Sequence, residues 1–350
     1  MNESGARNAL VPLPAHPHTV PWPTLEWVRE APRSLSHPRL SHLLDSSFGA
    51  AGTLGESHAL LAIAQGRLVL ERYAPGFDAN SVCPSWSMAK SITQALIGIL
   101  AGEGKIDIHA PAPVREWRGT RDPRREITVD QLLRMSSGLA FIESYIPEQP
   151  SDVIEMLWGN GREDVGHFAA SFPLAQPPGS FWAYSSGTTN IVARIAADVA
   201  ALRGAAFETF MRTRLFEPLG MTSPQPKFDA AGTFIGSSFC FATARDFARF
   251  GLLYLRGGLW DGRRILPDGW VDYARTATFQ QPGEHGRYGA HWWLDLAGPG
   301  SFSANGFEGQ FILIVPQRDL VIVRLGKSPA ETQNRLKQWL YELAECFPPI

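Results

Sequence analysis

Pro84-Ser85-Trp86-Ser87-Met88-Ala89-Lys90-Ser91 opens the run on which the reading of this 350-residue chain turns. From Ser87 to Gly102 the apolar residues Met88, Ile92, Ala95, Leu96, Ile99 and Leu100 recur at helical spacing, and Gly102 and Gly104 supply the stop. The spacing predicts a helix with one broad apolar face, and therefore a buried one. Ser87 and Lys90 stand at its head, three residues apart on one face, so the serine oxygen and the lysine nitrogen come within hydrogen-bonding range. Burial and the positive end of the helix both disfavour an ammonium, which is expected to bring the lysine down to roughly 7 to 8, a range enzymes reach by such tuning. A neutral lysine can accept the serine proton, whereas an arginine cannot. Arginine outnumbers lysine 27 to 5, so the choice of lysine here is informative. With 25 serines and 5 lysines, chance alone gives about 0.4 Ser-x-x-Lys matches, so placement on an apolar helix carries more weight than the pattern.

Outward from this helix the patterns change twice. Upstream, Ala59 to Ala64 and Leu68 to Tyr73 flank Gln65-Gly66 and read as a β-hairpin. Downstream, Val129 to Arg134, Ile191 to Leu202 and Phe207 to Phe216 carry helical periodicity between Gly- and Pro-rich loops. After Gly236 come a helix over Ala244 to Leu255, strand-like runs at His291 to Leu296, Phe311 to Val315 and Leu320 to Leu325, and a final helix from Glu331 to Glu345. Strands at both ends with helices between lack the regular alternation of a parallel sheet. We therefore expect an α+β fold in which the early hairpin joins the late strands in one antiparallel sheet flanked by helices. The expected division is a loose extended arm over 1–25, whose Pro12, Pro14, Pro17, Pro21 and Pro23 exclude regular structure, a sheet-bearing lobe from 26–104 and 236–350, and an inserted, mainly helical lobe over 105–235.

Composition narrows the function classes. Apolar residues form 44% of the chain, too much burial potential for disorder, and a net charge of −2 gives no electrostatic footprint for nucleic acid or an anionic membrane. Cys83, Cys240 and Cys346 are odd in number and widely spaced, which fits neither a disulfide framework nor a zinc knuckle. With no signal-like or membrane-spanning stretch, the expected location is the cytoplasm. There is no Gly-x-Ser-x-Gly, His-Glu-x-x-His, phosphate-loop Gly-Lys-Ser/Thr or Gly-x-Gly-x-x-Gly pattern, and neither a metal nor a cofactor is expected.

Four segments in order resemble the boxes of the serine β-lactamase and penicillin-binding-protein superfamily, most closely its class C-like branch of esterases and 6-aminohexanoate-dimer (nylon-oligomer) hydrolases. They are Pro84 to Ser91, Leu132-Leu133-Arg134-Met135-Ser136-Ser137-Gly138-Leu139, Phe181-Trp182-Ala183-Tyr184-Ser185-Ser186, and Ala304-Asn305-Gly306-Phe307-Glu308-Gly309-Gln310. The likeness runs from about His58 to Leu325. It implies Ser87 as acylated nucleophile, Lys90 as its base and Tyr184 as the proton shuttle to the leaving group. It also implies an edge strand at Ala304-Asn305-Gly306, where Gly306 lets substrate approach the backbone, with the backbone N–H groups of Ser87 and Phe307 forming an oxyanion hole. Glu143-Ser144-Tyr145-Ile146-Pro147, followed by Ser151-Asp152-Val153, resembles the nylon-oligomer hydrolase loop whose tyrosine bonds the substrate amide, which would place Tyr145 at the pocket rim. Trp86, Trp158, Trp182, Trp292 and Trp293 are candidates for an apolar acyl pocket or for core packing, and Cys83 for bystander packing.

Two departures bear on the substrate. Ser186 stands where lactam-hydrolysing members carry the Asn of Tyr-x-Asn, and Ala304 stands where they carry Lys or His. Loss of that cation removes the usual partner of a substrate carboxylate. The expectation is a serine esterase or linear-amide hydrolase working on a small molecule, with Ser186, Tyr145, Asn305, Gly306 and Phe307 around the substrate. A β-lactamase or D-amino-acid peptidase, and a retired homologue that only binds, are the alternatives. A homodimer stays open.

Overall fold

A computed structural model describes residues 10–30, 38–49, 54–279 and 287–350. The hairpin is present as β1 (Glu56–Ala64) and β2 (Arg67–Tyr73). The far end of the chain supplies β3 (Arg287–Tyr288), β4 (Trp293–Leu294), β5 (Phe302–Gly306), β6 (Gln310–Val315) and β7 (Leu320–Lys327). They form one antiparallel sheet in the order β2-β1-β7-β6-β5-β4-β3. Leu61 lies opposite Val323 and Ala62 opposite Ile322, so the two ends of the chain share a ladder as the α+β reading anticipates.

Strand alternation feeds a core on each face. Leu60, Phe311, Leu313 and Ile322 meet Leu40 and Leu43 of α1 (Pro38–Phe48) and Leu336, Trp339 and Leu343 of α5 (Gln333–Glu345). Leu61, Ile312, Ile314, Val321 and Val323 turn to the other side, toward α2 (Ala89–Gly102) and α4 (Ala244–Leu255). Because both faces are covered, β6 reads as an unbroken apolar run from Phe311 to Val315. Between Tyr73 and Arg287 the described residues add no strand to this sheet. They build α2, α3 (Ser186–Ala200), α4 and shorter helices, with α3 packed against both α2 and the Val165–Ala170 turn of helix.

Some expected elements change length for local reasons. The strand expected over His291 to Leu296 shrinks to Trp293–Leu294, because His291 (φ 58°) and Asp295 (φ 64°) both take left-handed backbone that ends a ladder. The stretch ending at Phe216 is α-helical only over Gly204–Met211 and continues as a wider π turn. The final helix begins at Gln333, after a 3₁₀ turn over Ala330–Thr332. Residues 1–9 of the expected arm lie outside the described part, as do 31–37, 50–53 and 280–286 of the expected sheet-bearing lobe. From residue 10 the arm has no regular structure, yet it is not loose. Val20 is buried, Arg249 Nε donates to Pro23 O at 2.7 Å, and Trp260 Nε1 donates to Thr24 Oγ1 at 2.9 Å.

Candidate active site

The segment before α2 is held tightly. Ser85 Oγ donates toward Trp86 O and Ser238 O and accepts the Cys240 amide at 3.0 Å, and Met88 N closes a turn onto Ser85 O at 3.1 Å. Trp86 is left in left-handed backbone at φ 43°, a conformation that a bulky side chain adopts only under constraint. Ser87 follows in a 3₁₀ turn, and α2 begins at Ala89. This geometry brings Lys90 Nζ to 3.1 Å from Ser87 Oγ.

Lys90 is 1% exposed. Its other two contacts are Ser186 Oγ and Ser237 O, each at 2.9 Å. Ser186 opens α3, where Ser185 caps the helix by accepting the Thr188 amide at 3.0 Å, so two helix N-termini converge on the amine. Burial lowers the Lys90 pKa to about 8, and the negative charge of Glu143 opposes the fall. In its neutral form the amine has two N–H donors and one lone pair. Ser186 Oγ and Ser237 O match the donors, and the lone pair is then directed at Ser87.

The Tyr184 phenol lies close enough to Ser87 for that side chain to influence its titration. Lys90 Nζ lies 4.9 Å from the centre of the Tyr184 ring. Desolvation holds this phenol well above its ordinary range, Glu143 pushes the same way, and the nearby Ser87 side chain opposes both. Tyr184 is thus protonated in the free protein, a donor rather than a phenolate.

Glu143 is the group that sequence reasoning missed. Its carboxylate accepts Ser186 N at 2.7 Å, Ser186 Oγ at 2.6 Å and the Tyr145 hydroxyl at 2.9 Å. The loop that carries it is pinned by Ile142 N to Asp152 Oδ2 at 2.7 Å and by Ser151 Oγ to Ser144 O at 2.6 Å. The sequence offered one hint, the position of Glu143 at the start of the quoted loop. A side chain meeting Ser186 across 43 residues leaves no periodic trace.

Across the cleft, β5 ends at Gly306. A Cβ built there would lie 2.4 Å from Ser85 O, so only glycine lets the strand approach this segment so closely. Phe307 then packs edge-on to Trp86 at 5.7 Å and stacks on Tyr145 at 5.3 Å. The Tyr145–Phe307 pair borders two clefts. One, of about 670 Å³, contains Ser87, Trp86, Ile146, Leu157 and Trp158; the other, of about 1160 Å³, contains Trp293, His58, Phe77 and Gly306.

Ser87, Lys90, Tyr184, Ser186, Tyr145, Gly306 and Phe307 therefore converge. Asn305 departs from the expected placement among them. Alternation along β5 sets it opposite Phe311, on the other side of the strand from Ala304 and Gly306, and it lines neither cleft. Of the two roles open to the tryptophans, Trp292 takes core packing, buried against Tyr254 and Phe302. Cys83 is buried and unpaired, its thiol pushed up to about 11 by desolvation. Among the described residues no His, Cys, Asp and Glu side chains gather as a metal site, and no helix is long and apolar enough to cross a membrane.

Comparison with known proteins places this geometry. Residues 51–346 match the family described as Beta-lactamase. A 6-aminohexanoate-dimer hydrolase of Paenarthrobacter ureafaciens is 27% identical over 292 residues, covering 77% of this chain and 72% of that protein. Penicillin-binding protein 4 of Amycolatopsis lactamdurans is 26% identical over 318 residues, covering 77% and 80%. Among solved structures, a Bacillus anthracis protein described as a 6-aminohexanoate-dimer hydrolase superposes with a TM-score of 0.76 at 22% identity, over 96% of this chain and 90% of its own. A family VIII carboxylesterase superposes at 0.65 with 16% identity, over 87% and 98%. At such identities the structures speak to the shared fold.

Proposed function

This chain belongs to the β-lactamase family of hydrolases, and from that premise we propose that it is a serine esterase or linear-amide hydrolase working through an acyl-enzyme on Ser87. The observation that carries the reading is the buried Lys90 amine, bonded on two sides by Ser186 and Ser237 and facing Ser87 Oγ on the third. Neutral Lys90 takes the Ser87 proton as Ser87 Oγ attacks the substrate carbonyl. The tetrahedral oxyanion is met by the amides of Ser87 and Phe307, donors of a kind worth about 2.7 to 4 kcal/mol each. Tyr184 gives its proton to the leaving oxygen or nitrogen, and the phenolate so formed takes back the proton that the Lys90 ammonium received from Ser87, with Lys90 Nζ 4.9 Å from the centre of the Tyr184 ring. Deacylation reverses the roles: water is deprotonated, attacks the acyl carbonyl, and the acid leaves as Ser87 regains its proton.

The charge of the cleft supports an acyl group without a carboxylate. Among the described residues the smaller cleft is lined by Glu148, Asp152 and Glu155 and by no Lys or Arg. Ala304 adds no cation, and Glu143 puts a carboxylate beside Ser186. An anionic substrate would be repelled on entering. Trp86, Leu157 and Trp158 suit an uncharged acyl chain.

The test is a panel of short-chain nitrophenyl esters, linear anilides and nitrocefin, followed for burst kinetics. Ester or anilide turnover with a burst is expected, with nitrocefin slower by a factor of at least about 100. A protein that turns over none of the acyl substrates is not the enzyme proposed here. Rapid nitrocefin hydrolysis would overturn the charge argument.

A further inference from the structure

Arg324 on β7 is 0% exposed, and among the described residues no carboxylate forms an ion pair with it. A buried guanidinium without an acid is unusual, because the charge has to be solvated by dipoles alone. Here it meets five acceptors. Nη1 donates to Gly309 O at 2.9 Å and Glu308 O at 3.3 Å. Nη2 donates to Glu56 O at 2.8 Å, Ser328 Oγ at 2.8 Å and Ser57 Oγ at 3.3 Å. Space for the group is made by two glycines, since a Cβ on Gly309 would lie 2.7 Å from Arg324 Nη1 and one on Gly326 would lie 2.7 Å from Arg324 Cζ. Desolvation brings this arginine down to about 10, so it still carries its charge at neutral pH.

The carbonyls it grips belong to the turn that follows Phe307. Glu308 (φ 59°) and Gly309 (φ 84°) are consecutive left-handed residues, a backbone that persists only where its surroundings hold it. A second brace reinforces the first: Gln310 Nε2 donates to Phe307 O at 3.0 Å and Gly326 O at 2.6 Å, and Ser328 N donates to Glu308 O at 2.8 Å.

We propose that Arg324 is a positioning residue for catalysis, a buried cation that fixes the Phe307–Gly309 turn so that the Phe307 amide faces the carbonyl attacked by Ser87. The inference rests on the oxyanion role given to Phe307 above. Arg324 touches no substrate; it acts through the turn.

The test compares wild type, Arg324→Met and Arg324→Lys in kcat and KM on a nitrophenyl ester, with melting curves alongside. The methionine keeps the volume and removes the donors, an exchange that buried charges often tolerate. A folded Arg324→Met is expected to lose about 10- to 100-fold in kcat with KM changed by no more than about threefold, as for a displaced oxyanion donor. Lysine, with one compact ammonium, is expected to recover only part of the loss. Arg324→Ala should regain kcat when guanidinium chloride is added, and should not when sodium chloride of equal ionic strength is added. An active wild type beside a folded Arg324→Met of unchanged kcat sinks this inference and leaves the serine-hydrolase reading standing. So does the absence of guanidinium rescue, or failure of both Met and Lys variants to fold, since either makes the residue structural alone. A wild type that turns over no ester sinks the reading itself, and this inference with it.

Discussion

Two buried cations stand behind the candidate site, Lys90 at the head of α2 and Arg324 behind the turn after Phe307, and they are handled in opposite ways. Lys90 and Arg324 both lack a carboxylate in direct contact and both bond to hydroxyls and carbonyls. Burial takes the lysine down to about 8, where it can lose its proton near neutral pH; the same physics takes the arginine only to about 10, where it stays charged. In the mechanism proposed, the difference separates a base from a brace. A group that must change its charge during turnover is built from lysine, and a group that must not is built from arginine.

The largest break in this comparison is to make the two alike. Lys90→Arg keeps a cation at the head of α2 but cannot accept the Ser87 proton, so kcat/KM should fall by about 10³-fold or more, as far as in Lys90→Ala. Recovery of activity in the arginine variant would show that only the charge mattered. In the wild type, kcat/KM should rise with pH and level off above about 8, as Lys90 becomes neutral. The same shift is a stability statement. The folded pKa of about 8 lies below the ordinary 10.5, so the unfolded chain binds this proton more tightly. Stability therefore rises as pH climbs from 8 to 10.5, and below 8 the penalty of the buried charge is felt in full. Melting curves of wild type against Lys90→Met across that window should converge or cross in favour of the wild type as pH rises.

Gly306→Ala attacks the approach of the two sides. Its Cβ would meet Ser85 O, so β5 must withdraw from the nucleophile turn, and kcat should drop about 10- to 100-fold while the distant cores keep the melting temperature within a few degrees. Equal loss of fold and activity would mean that the contact is architectural.

Glu143→Gln is the gentlest probe. Its charge raises Lys90, so neutralising it should move the rising limb of the pH profile to lower pH, with kcat on the plateau reduced by less than about tenfold. A limb that stays in place would remove Glu143 from the tuning of Lys90.

What the sequence made legible follows the range of the interactions. The β1–β2 hairpin, α2, and the Ser87–Lys90 pair rest on contacts within a few residues, and they read directly from periodicity and spacing. Tyr184, Gly306 and Phe307 were found only through the likeness of their boxes, because nothing local marks them as neighbours of Ser87. Glu143 and Arg324 escaped altogether. One is a loop carboxylate bonded to Ser186, 43 residues away, and the other is one of 27 arginines, made distinctive only by Gly309, Gly326 and Glu56 closing around it. Asn305 was misplaced for a related reason: a box does not say which side of a strand faces the cleft.

The central claim is that Lys90 makes Ser87 a nucleophile, and peptide mass analysis after fluorophosphonate treatment tests it most directly. One adduct on Ser87 in the wild type and none in Lys90→Ala is the predicted result. No adduct in the wild type, or an adduct on Ser87 that forms equally fast without Lys90, would contradict it.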